Sequence, residues 1–330
     1  MSKALVTGGA GFIGYHLCSR LVASGHQVDL LDDLSRGVRD RALETLIGRP
    51  ELTVRVGDLR SPEAFRGLDT DYTHVFHLAA IIGVANVLDR PYAVLRDNLE
   101  MLNRMLDFCQ GLGSLERFVF PSTSEVYAGT LQHFSLPIPT PETTPLALTD
   151  LSHPRTSYML SKIYGEALCH QAGLPFTIIR PHNVYGPRMG LAHVVPELLQ
   201  RAHRAEAGSA LRVYSVDHRR TFCFVDDAVD QILGLAEAES ATSGTFNIGS
   251  TDVETRIADL AELVVRVVGR RLTVEAAEET PGSPSRRCPD MTHTLAVVGS
   301  GSEVSLEEGV RRTYHWYRDH IFEGGDVSAS

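Results

Sequence analysis

Short runs of Val, Ile, Leu and Phe alternate with segments of helical periodicity along the first half of the chain. The apolar runs, each of a length that suits one buried strand, are Ala4–Val6, Gln27–Leu31, Leu52–Val56, His74–His77, Arg117–Phe120 and Phe176–Ile179. The helical segments are Phe12–Ala23, a stretch after Pro62, Ala93–Gln110 and Ser157–Gln171. Because a parallel strand needs a crossover long enough to hold a helix, this alternation predicts an α/β fold with a doubly wound parallel sheet.

The second half of the chain follows a different pattern. Gly129–Pro154 contains five prolines and is predicted to form an irregular loop. After about residue 188 the alternation weakens, and Thr255–Val268 and Val304–Arg318 are the clear remaining helices. We therefore expect a domain over residues 1–187 that carries the sheet and a smaller C-terminal cap domain over residues 188–330 that shares its cleft. The tail, residues 323–330, is expected to be frayed.

The composition of the chain narrows the classes of partner. Of its 330 residues 43% are apolar and 22% charged, which is typical of a globular protein. The 31 Lys and Arg against 41 Asp and Glu give a formal net charge of −10, which argues against a nucleic acid or an anionic membrane as partner. The five cysteines form no Cys-x-x-Cys pair, the histidines show no metal-ligand spacing, and no apolar stretch reaches the ~20 residues of a membrane span. We expect a cytoplasmic protein that binds a small molecule and no metal.

A glycine-rich turn follows the first predicted strand and opens the first predicted helix. Its sequence is Thr7-Gly8-Gly9-Ala10-Gly11-Phe12-Ile13-Gly14, in which Gly8, Gly11 and Gly14 are three residues apart. Glycines at these places let the backbone turn tightly and approach a diphosphate, whose charge is favourable at a helix N-terminus. The turn, with the backbone of Phe12 and Ile13, is therefore a candidate dinucleotide site of a Rossmann domain.

Two acidic residues extend this candidate site. Asp32 ends the second strand, 18 residues after Gly14, where a carboxylate can accept hydrogen bonds from the adenosine ribose. Asp58, followed by Leu59, ends the third strand at the same edge of the sheet. A carboxylate at the ribose repels a 2′-phosphate, so Asp32 favours NAD over NADP. Arg36 is close by in the sequence, and its positive charge argues in the opposite direction.

Tyr158 and Lys162 stand one turn apart on a predicted helix. The ammonium, together with a positive nicotinamide ring, is predicted to lower the pKa of the phenol, which could then take a proton from a sugar hydroxyl while hydride leaves the same carbon. The segment Ser122-Thr123-Ser124-Glu125-Val126-Tyr127 directly follows a predicted strand. Its side chains are therefore expected at the same carboxyl edge of the sheet as the cofactor.

These motifs together resemble the extended short-chain dehydrogenases/reductases that act on nucleotide sugars, a group of epimerases, dehydratases and decarboxylases. The resemblance covers nearly the whole chain, and its further motifs are His77-Leu78-Ala79-Ala80, Asn98, Arg180-Pro181-His182-Asn183-Val184-Tyr185-Gly186-Pro187-Arg188 and Arg220-Thr221-Phe222. It implies NAD as the cofactor, a nucleotide-diphosphate sugar, expected to be UDP-linked, as the substrate, and a homodimer.

The resemblance also implies roles for individual residues. Thr123 would hydrogen-bond the sugar O4, Tyr158 would act as the base, and Lys162 would also bind the nicotinamide ribose. Further residues at the cofactor would be Leu78, Ala79, Ala80 and Asn98, and residues at the substrate would be Ser124, Asn183 and Arg220, the last two at its diphosphate.

The resemblance leaves three reactions open. Thr123-Ser124-Glu125 is similar to the Thr-Ser-Glu of UDP-glucuronate decarboxylases, and Arg287 resembles their arginine that binds the substrate carboxylate or donates a proton. GDP-mannose dehydratases share Thr-Ser-Glu, and simple 4-epimerases need only rotation of the 4-keto sugar. Two segments, Ile81-Ile82-Gly83-Val84 and His193-Val194-Val195-Pro196, depart from the decarboxylases.

A UDP-glucuronate decarboxylase is the preferred interpretation, with an epimerase or a 4,6-dehydratase as the alternatives. A non-catalytic NAD-binding regulator is the hypothesis from a different class. The intact set of Thr123, Tyr158 and Lys162 argues against such a regulator, which would not need all three.

Overall fold

The computed structural model describes residues 2–36, 40–279 and 284–324 of the chain. Its strands, numbered in chain order, are β1 (Lys3–Thr7), β2 (Gln27–Asp32), β3 (Leu52–Val56), β4 (His74–His77), β5 (Arg117–Pro121), β6 (Phe176–Pro181), β7 (Val184–Tyr185), β8 (Ala210–Val213), β9 (Arg219–Arg220), β10 (Cys223–Phe224), β11 (Gly244–Ile248), β12 (Thr255–Arg256), β13 (Thr273–Ala276) and β14 (Arg286–Arg287). Its α-helices are α1 (Phe12–Ala23), α2 (Arg41–Ile47), α3 (Val84–Asp89), α4 (Pro91–Gln110), α5 (Ala128–His133), α6 (Thr156–Gln171), α7 (Val194–Arg204), α8 (Val225–Glu237), α9 (Ile257–Val268), α10 (Thr292–Val298) and α11 (Leu306–Tyr317).

Seven parallel strands form the central sheet in the order β11-β6-β5-β4-β1-β2-β3. Alternate residues of each strand point to opposite faces, and in β1 Ala4 and Val6 join the apolar core on one face whereas Leu5 joins the core on the other. Helices α1 and α8 contribute to the first core, and α4 and α6 to the second. Both faces are therefore covered, and the predicted doubly wound α/β fold is confirmed.

Two local predictions can be compared with these elements. After the first helix, Gly25 has a φ of +82°, the left-handed conformation that glycine adopts easily beyond a helix end. The stretch after Pro62 forms only one 3₁₀ turn, Pro62–Phe65. The loop predicted over Gly129–Pro154 is not irregular throughout, because α5 occupies its start. The chain folds back on this helix, where the Thr130 hydroxyl donates to the carbonyl of Pro145 at 2.5 Å.

The sheet extends beyond the domain boundary that the sequence suggests at residue 187. Strand β11 pairs with β6 along its full length, and α8 packs on the same sheet. Only two residues of β11, Phe246 and Ile248, belong to the apolar core, and the polar Asn247 separates them. An apolar run this short and interrupted is difficult to recognise in a sequence.

The remaining strands after residue 188 form small sheets beside the carboxyl edge of the large one. The most important has the order β12-β9-β14, and its parallel pair β9 and β14 places Arg220 opposite Arg287. In the tail, residues 325–330 lie outside the described residues. Among the helices that the structure describes, none is long and apolar enough to cross a membrane.

Candidate active site

The glycine turn after β1 forms a tight cradle. Gly8 has a φ of +69°, and a Cβ on it would lie 2.7 Å from the backbone nitrogen of Ala79. A Cβ on Gly14 would lie 2.2 Å from the carbonyl oxygen of Gly8. Gly11 precedes α1 without a side-chain cap from the described residues, so the first amides of the helix, including those of Phe12 and Ile13, suit an anion. The cradle fits the diphosphate of a dinucleotide.

Asp32 links this cradle to the end of β2. Its Oδ2 accepts a hydrogen bond from the Ala10 amide at 3.0 Å, and its Oδ1 accepts one from the Leu34 amide at 2.8 Å. Burial raises the pKa of the Asp32 carboxyl, and the two amides oppose that rise. The carboxylate therefore anchors the glycine turn at the place where an adenosine ribose would lie.

Asp58 lies beyond the end of β3 and is paired with Arg60. The guanidinium reaches both carboxylate oxygens, at 2.9 Å and 2.8 Å, and holds the pKa of Asp58 below its usual range. The same guanidinium donates to Asp97 on α4 at 2.9 Å. Asp58 and the buried Leu59 therefore belong to a braced loop at the same sheet edge as Asp32.

Residues 78–81 follow β4 and line the other side of the cradle. The Leu78 amide donates to the Thr7 carbonyl at 3.0 Å, so this segment, with Ala79 and Ala80, runs beside the glycine turn. The Asn98 side chain clamps the segment from α4: its Oδ1 accepts from the Ile81 amide at 2.7 Å and its Nδ2 donates to the Ile81 carbonyl at 3.1 Å. In the structure Asn98 thus supports the cofactor loop.

The segment after β5 begins a 3₁₀ turn, Ser124–Tyr127, which Thr123 caps. The Thr123 hydroxyl accepts from the Glu125 amide at 3.2 Å and hydrogen-bonds the phenol of Tyr158. Ser124 is buried beneath the turn, whereas Glu125 is exposed to the cleft. The turn therefore brings Thr123 and the carboxylate of Glu125 to the phenol on α6.

Tyr158 and Lys162 lie on α6 as predicted, but the effect on the phenol differs from the prediction. Burial, and then the negative charge of Glu125, raise the pKa of Tyr158. The Lys162 ammonium donates to the Pro121 carbonyl at 2.8 Å and lies 5.8 Å from the centre of the phenol ring. Burial lowers the pKa of Lys162 to about 8. Desolvation and the nearby carboxylate therefore oppose the lowering of the phenol's pKa that is predicted for Lys162 together with the nicotinamide ring.

Arg287 reaches the same site from the distant strand β14. Burial lowers the pKa of its guanidinium, and Glu125 is the charged group that opposes this. The charge of Glu125 therefore acts on both Tyr158 and Arg287, although these two side chains come from α6 and from the distant strand β14.

A cavity of about 340 Å³ adjoins Arg287, and its lining also includes Asn183, His193, Tyr214, Arg220 and Phe222. The Asn183 side chain donates to the Thr221 carbonyl at 2.9 Å and approaches the Arg287 carbonyl at 3.5 Å, so it ties these strands together. Burial and the charge of Arg287 lower the pKa of Arg220 to about 10. Two neighbouring guanidinium groups in one cavity favour an anionic ligand.

A family model described as the NAD dependent epimerase/dehydratase family matches residues 4–249. The chain belongs to this family. It is therefore an NAD-dependent enzyme, which agrees with the cradle, and the recognition made from the sequence motifs is confirmed.

Individual members of the epimerase/dehydratase family are similar over nearly the whole chain. The chain is 32% identical to UDP-N-acetyl-alpha-D-glucosaminuronate decarboxylase of Bacillus cytotoxicus, over 96% of this chain and 98% of that protein. It is 30% identical to UDP-glucuronic acid decarboxylase 1 of Xenopus tropicalis, over 97% of this chain and 73% of that protein. Among solved structures, UDP-glucose 4-epimerase of Thermotoga maritima with UDP-glucose has 28% identity and a TM-score of 0.83, over 97% of this chain and 99% of that chain.

Beneath the turn Ser124–Tyr127, this family member contains a buried ion pair that the sequence analysis missed. Glu166, one turn after Lys162 on α6, pairs with Arg180 of β6 at 2.6 Å and accepts from the Ser122 hydroxyl at 2.5 Å. Arg180 also donates to the Tyr127 hydroxyl at 2.7 Å. The spacing of Glu166 from Lys162 was a usable signal, since residues four apart share a helix face.

Asn247 of β11 extends this network to the strand of Arg287. Its Oδ1 accepts from the Tyr127 hydroxyl at 3.4 Å and lies 3.1 Å from Nε2 of His182. Its Nδ2 donates to the Asp290 carbonyl at 3.0 Å. The turn Ser124–Tyr127 and the segment that carries Arg287 are therefore held by one set of buried polar contacts, which no local sequence motif reveals.

The position of Asp32 gives a first prediction. Asp32→Ala should weaken NAD binding more than NADP binding, because it removes a hydrogen-bond acceptor for the ribose and the charge that repels a 2′-phosphate. Loss of the Ala10 contact affects both cofactors, so the ratio of the two dissociation constants, measured by calorimetry, is the quantity to compare. Asp33→Ala is the matched control, since among the described residues that carboxylate accepts hydrogen bonds from Ser35 of its own loop. Equal binding of NAD and NADP by the unmodified enzyme would contradict the assignment.

Proposed function

We propose that the enzyme decarboxylates a UDP-linked uronic acid, with UDP-glucuronate as the preferred substrate; it would then be a lyase. The observation that carries this proposal is the position of the Glu125 carboxylate, whose charge acts both on the phenol of Tyr158 and on the guanidinium of Arg287. A guanidinium is a bidentate partner for a carboxylate, and a C6 carboxylate is what distinguishes a uronic acid from a neutral hexose. The names of the two curated relatives support the same class of reaction.

The first step of the proposed reaction is an oxidation at C4. Tyr158 takes the proton of the sugar 4-hydroxyl, and Thr123, which is hydrogen-bonded to the phenol, orients both groups. Lys162 is placed to hold the ribose of the cofactor from α6. When bound, NAD accepts the hydride from C4 and adds a positive charge that opposes the raised pKa of Tyr158.

The second step is the loss of CO₂. Oxidation at C4 turns the uronic acid into a β-keto acid, in which the C5–C6 bond breaks and its electron pair moves into an enolate at C4 and C5. Arg287 orients the departing carboxylate, and Glu125 and Arg287 flank the C5 atom that then takes up a proton. The hydride that the cofactor would hold then returns to C4 and Tyr158 returns the proton to the C4 oxygen, which completes the conversion to a pentose.

We further propose that residues 188–330 act as the substrate-binding part, with residues 1–187 supplying the cofactor site and the catalytic helix. Arg220 and Arg287 come from the C-terminal part, and Asn183 lies just before it. Their charges suit the diphosphate of a nucleotide sugar as well as its carboxylate.

A nucleotide-sugar 4-epimerase is the second candidate. It is supported by the segment Ile81–Val84, which departs from the decarboxylases, and by the likeness to the Thermotoga maritima epimerase. An epimerase needs Tyr158 and Thr123 but gives Glu125 and Arg287 no chemical task. A 4,6-dehydratase, in which Glu125 would be the base at C5, is the third.

The test is to incubate the purified enzyme and NAD separately with UDP-glucuronate, UDP-N-acetylglucosaminuronate, UDP-glucose, UDP-N-acetylglucosamine and GDP-mannose. We expect CO₂ from UDP-glucuronate, and a product whose mass is lower by that of CO₂. Absence of CO₂ from both uronic acids would reject the decarboxylase. A product of unchanged mass from UDP-glucose would then favour the epimerase, and loss of water from a neutral hexose would favour the dehydratase.

We also propose a homodimer that forms through α4 and α6. These helices lie side by side on one face of the sheet, and exposed rings on them, Tyr92 and Tyr164, are available for a second copy. For the location we propose the cytoplasm, because the five cysteines are free thiols in the structure.

A further inference from the structure

Arg36 lies on the loop after β2, four residues beyond Asp32. Its Nη1 donates to the carbonyl of Ile82 at 2.7 Å, on the loop that follows β4. Its Nη2 lies 3.6 Å from the position that a Cβ on Gly83 would occupy. The side chain therefore joins two loops that are 46 residues apart in sequence.

The order of the strands shows what this side chain crosses. In the sheet β1 lies between β4 and β2. A side chain that starts after β2 and reaches the loop after β4 must therefore pass the carboxyl end of β1. The glycine cradle and the N-terminus of α1 lie at that end, so the guanidinium crosses the diphosphate site.

The charge of Arg36 is directed into this cleft. The guanidinium bonds a neutral carbonyl rather than a carboxylate, so this contact does not neutralise it. Its positive charge acts on two further groups: it opposes the raised pKa of Tyr158, and it adds to the effect of burial in lowering the pKa of His193. The Ile82 contact holds the Arg36 guanidinium across the cleft. Although Arg36 is close to Asp32 in sequence, its side chain therefore reaches a different part of the cleft.

We propose that Arg36 is a clasp: its guanidinium, held at the Ile82 carbonyl, binds the diphosphate of NAD from the side opposite the N-terminus of α1. The helix N-terminus of α1 supplies neutral amide donors from one side, and Arg36 supplies a full positive charge from the other. The Ile82 carbonyl holds the guanidinium in place across the cleft, so little rearrangement is needed when the anion binds.

The proposal is tested by cofactor binding, which does not depend on which sugar reaction the enzyme performs. The ligands are NAD, ADP-ribose, which keeps the diphosphate but lacks nicotinamide, and adenosine, which lacks both. Arg36→Ala should weaken NAD and ADP-ribose by the same factor, roughly tenfold or more at low salt, because a charge-assisted hydrogen bond is lost. Adenosine binding should be unchanged, and Arg36→Lys should keep part of the affinity.

Two controls separate the clasp from other effects. Arg66→Ala removes an exposed arginine that pairs with Glu63 on the surface and should leave the binding of all three ligands unaffected. Raising the salt concentration should reduce the difference between the unmodified enzyme and Arg36→Ala, since ions screen the contact. Thermal unfolding of each variant checks that it is folded.

Three results would overturn the proposal. A loss of less than about threefold for ADP-ribose would show that the diphosphate does not contact Arg36. An equal loss for adenosine would place the role of Arg36 at the adenosine pocket, and a loss confined to NAD would place it at the nicotinamide. Tighter NAD binding by Arg36→Ala would mean that the side chain obstructs the site.

Discussion

Replacing Tyr158 with Phe should lower the turnover of the nucleotide sugar by at least about 100-fold, the usual scale for loss of a general base. The variant keeps the ring that packs in the cleft and removes only the hydroxyl that is bonded to Thr123. Substrate affinity should change little, because the contacts proposed for the diphosphate come from Asn183 and Arg220. Steady-state rates with UDP-glucuronate, measured beside calorimetric affinities, separate the two effects.

The dependence of the rate on pH identifies the group that was lost. A base must be deprotonated to act, so the rate of the unmodified enzyme should rise with pH towards the pKa of the phenol. Because the charge of Glu125 raises that pKa, Glu125→Gln should move the rising part of the profile to lower pH. Tyr158→Phe should lose this dependence altogether.

Tyr164→Phe is the matched control for this prediction. Tyr164 lies on the same helix with its side chain exposed, and Phe keeps the ring that is proposed to contact a second copy, so the rate and the pH profile should be unchanged. Near-normal turnover of Tyr158→Phe would mean that the base is a different residue.

The parts of the site that could be predicted lie in continuous motifs at the ends of strands. The glycine turn, Asp32 and the Thr123-Ser124-Glu125 segment each follow a recognisable apolar run. The carboxyl ends of parallel strands lie at one edge of the sheet. Recognising the strands in the sequence was therefore enough to predict that the residues after them lie close together. Their individual roles stay predictions until variants are measured.

The parts that could not be predicted depend on contacts between distant segments. Asn247 lies in a strand with only two apolar core residues, too few to predict a strand from their alternation. Its hydrogen-bond partners His182 and Asp290 belong to distant parts of the chain. Arg36 and Ile82 are 46 residues apart in sequence, and the strand order brings them near each other by placing their loops on either side of β1. The raised pKa of Tyr158 depends on burial and on the position of Glu125. Neither can be deduced from the four-residue spacing of Tyr158 and Lys162 on their helix.

Arg287→Ala should reduce CO₂ release from UDP-glucuronate by at least about 100-fold, the scale for loss of one preorganised group that stabilises developing charge. Arg287 is proposed to act after the oxidation at C4, on the carboxylate that leaves. The oxidation itself should therefore survive, and mixing the variant with UDP-glucuronate should still give the absorbance of reduced cofactor. Glu125→Gln should show the same separation of oxidation from CO₂ release.

Arg286→Ala is the control for Arg287→Ala, because it removes the neighbouring guanidinium of the same strand. Arg286 is half-exposed and pairs with Glu254, so its loss should leave both oxidation and CO₂ release nearly unchanged.

If Arg287→Ala stopped the oxidation as completely as Tyr158→Phe does, Arg287 would be needed to bind the substrate rather than to direct its carboxylate. If CO₂ release continued at the normal rate in both Arg287→Ala and Glu125→Gln, the proposed decarboxylation step would be wrong for these two residues. Because reduced cofactor and CO₂ are measured in the same sample, the two steps are distinguished without reference to the overall rate.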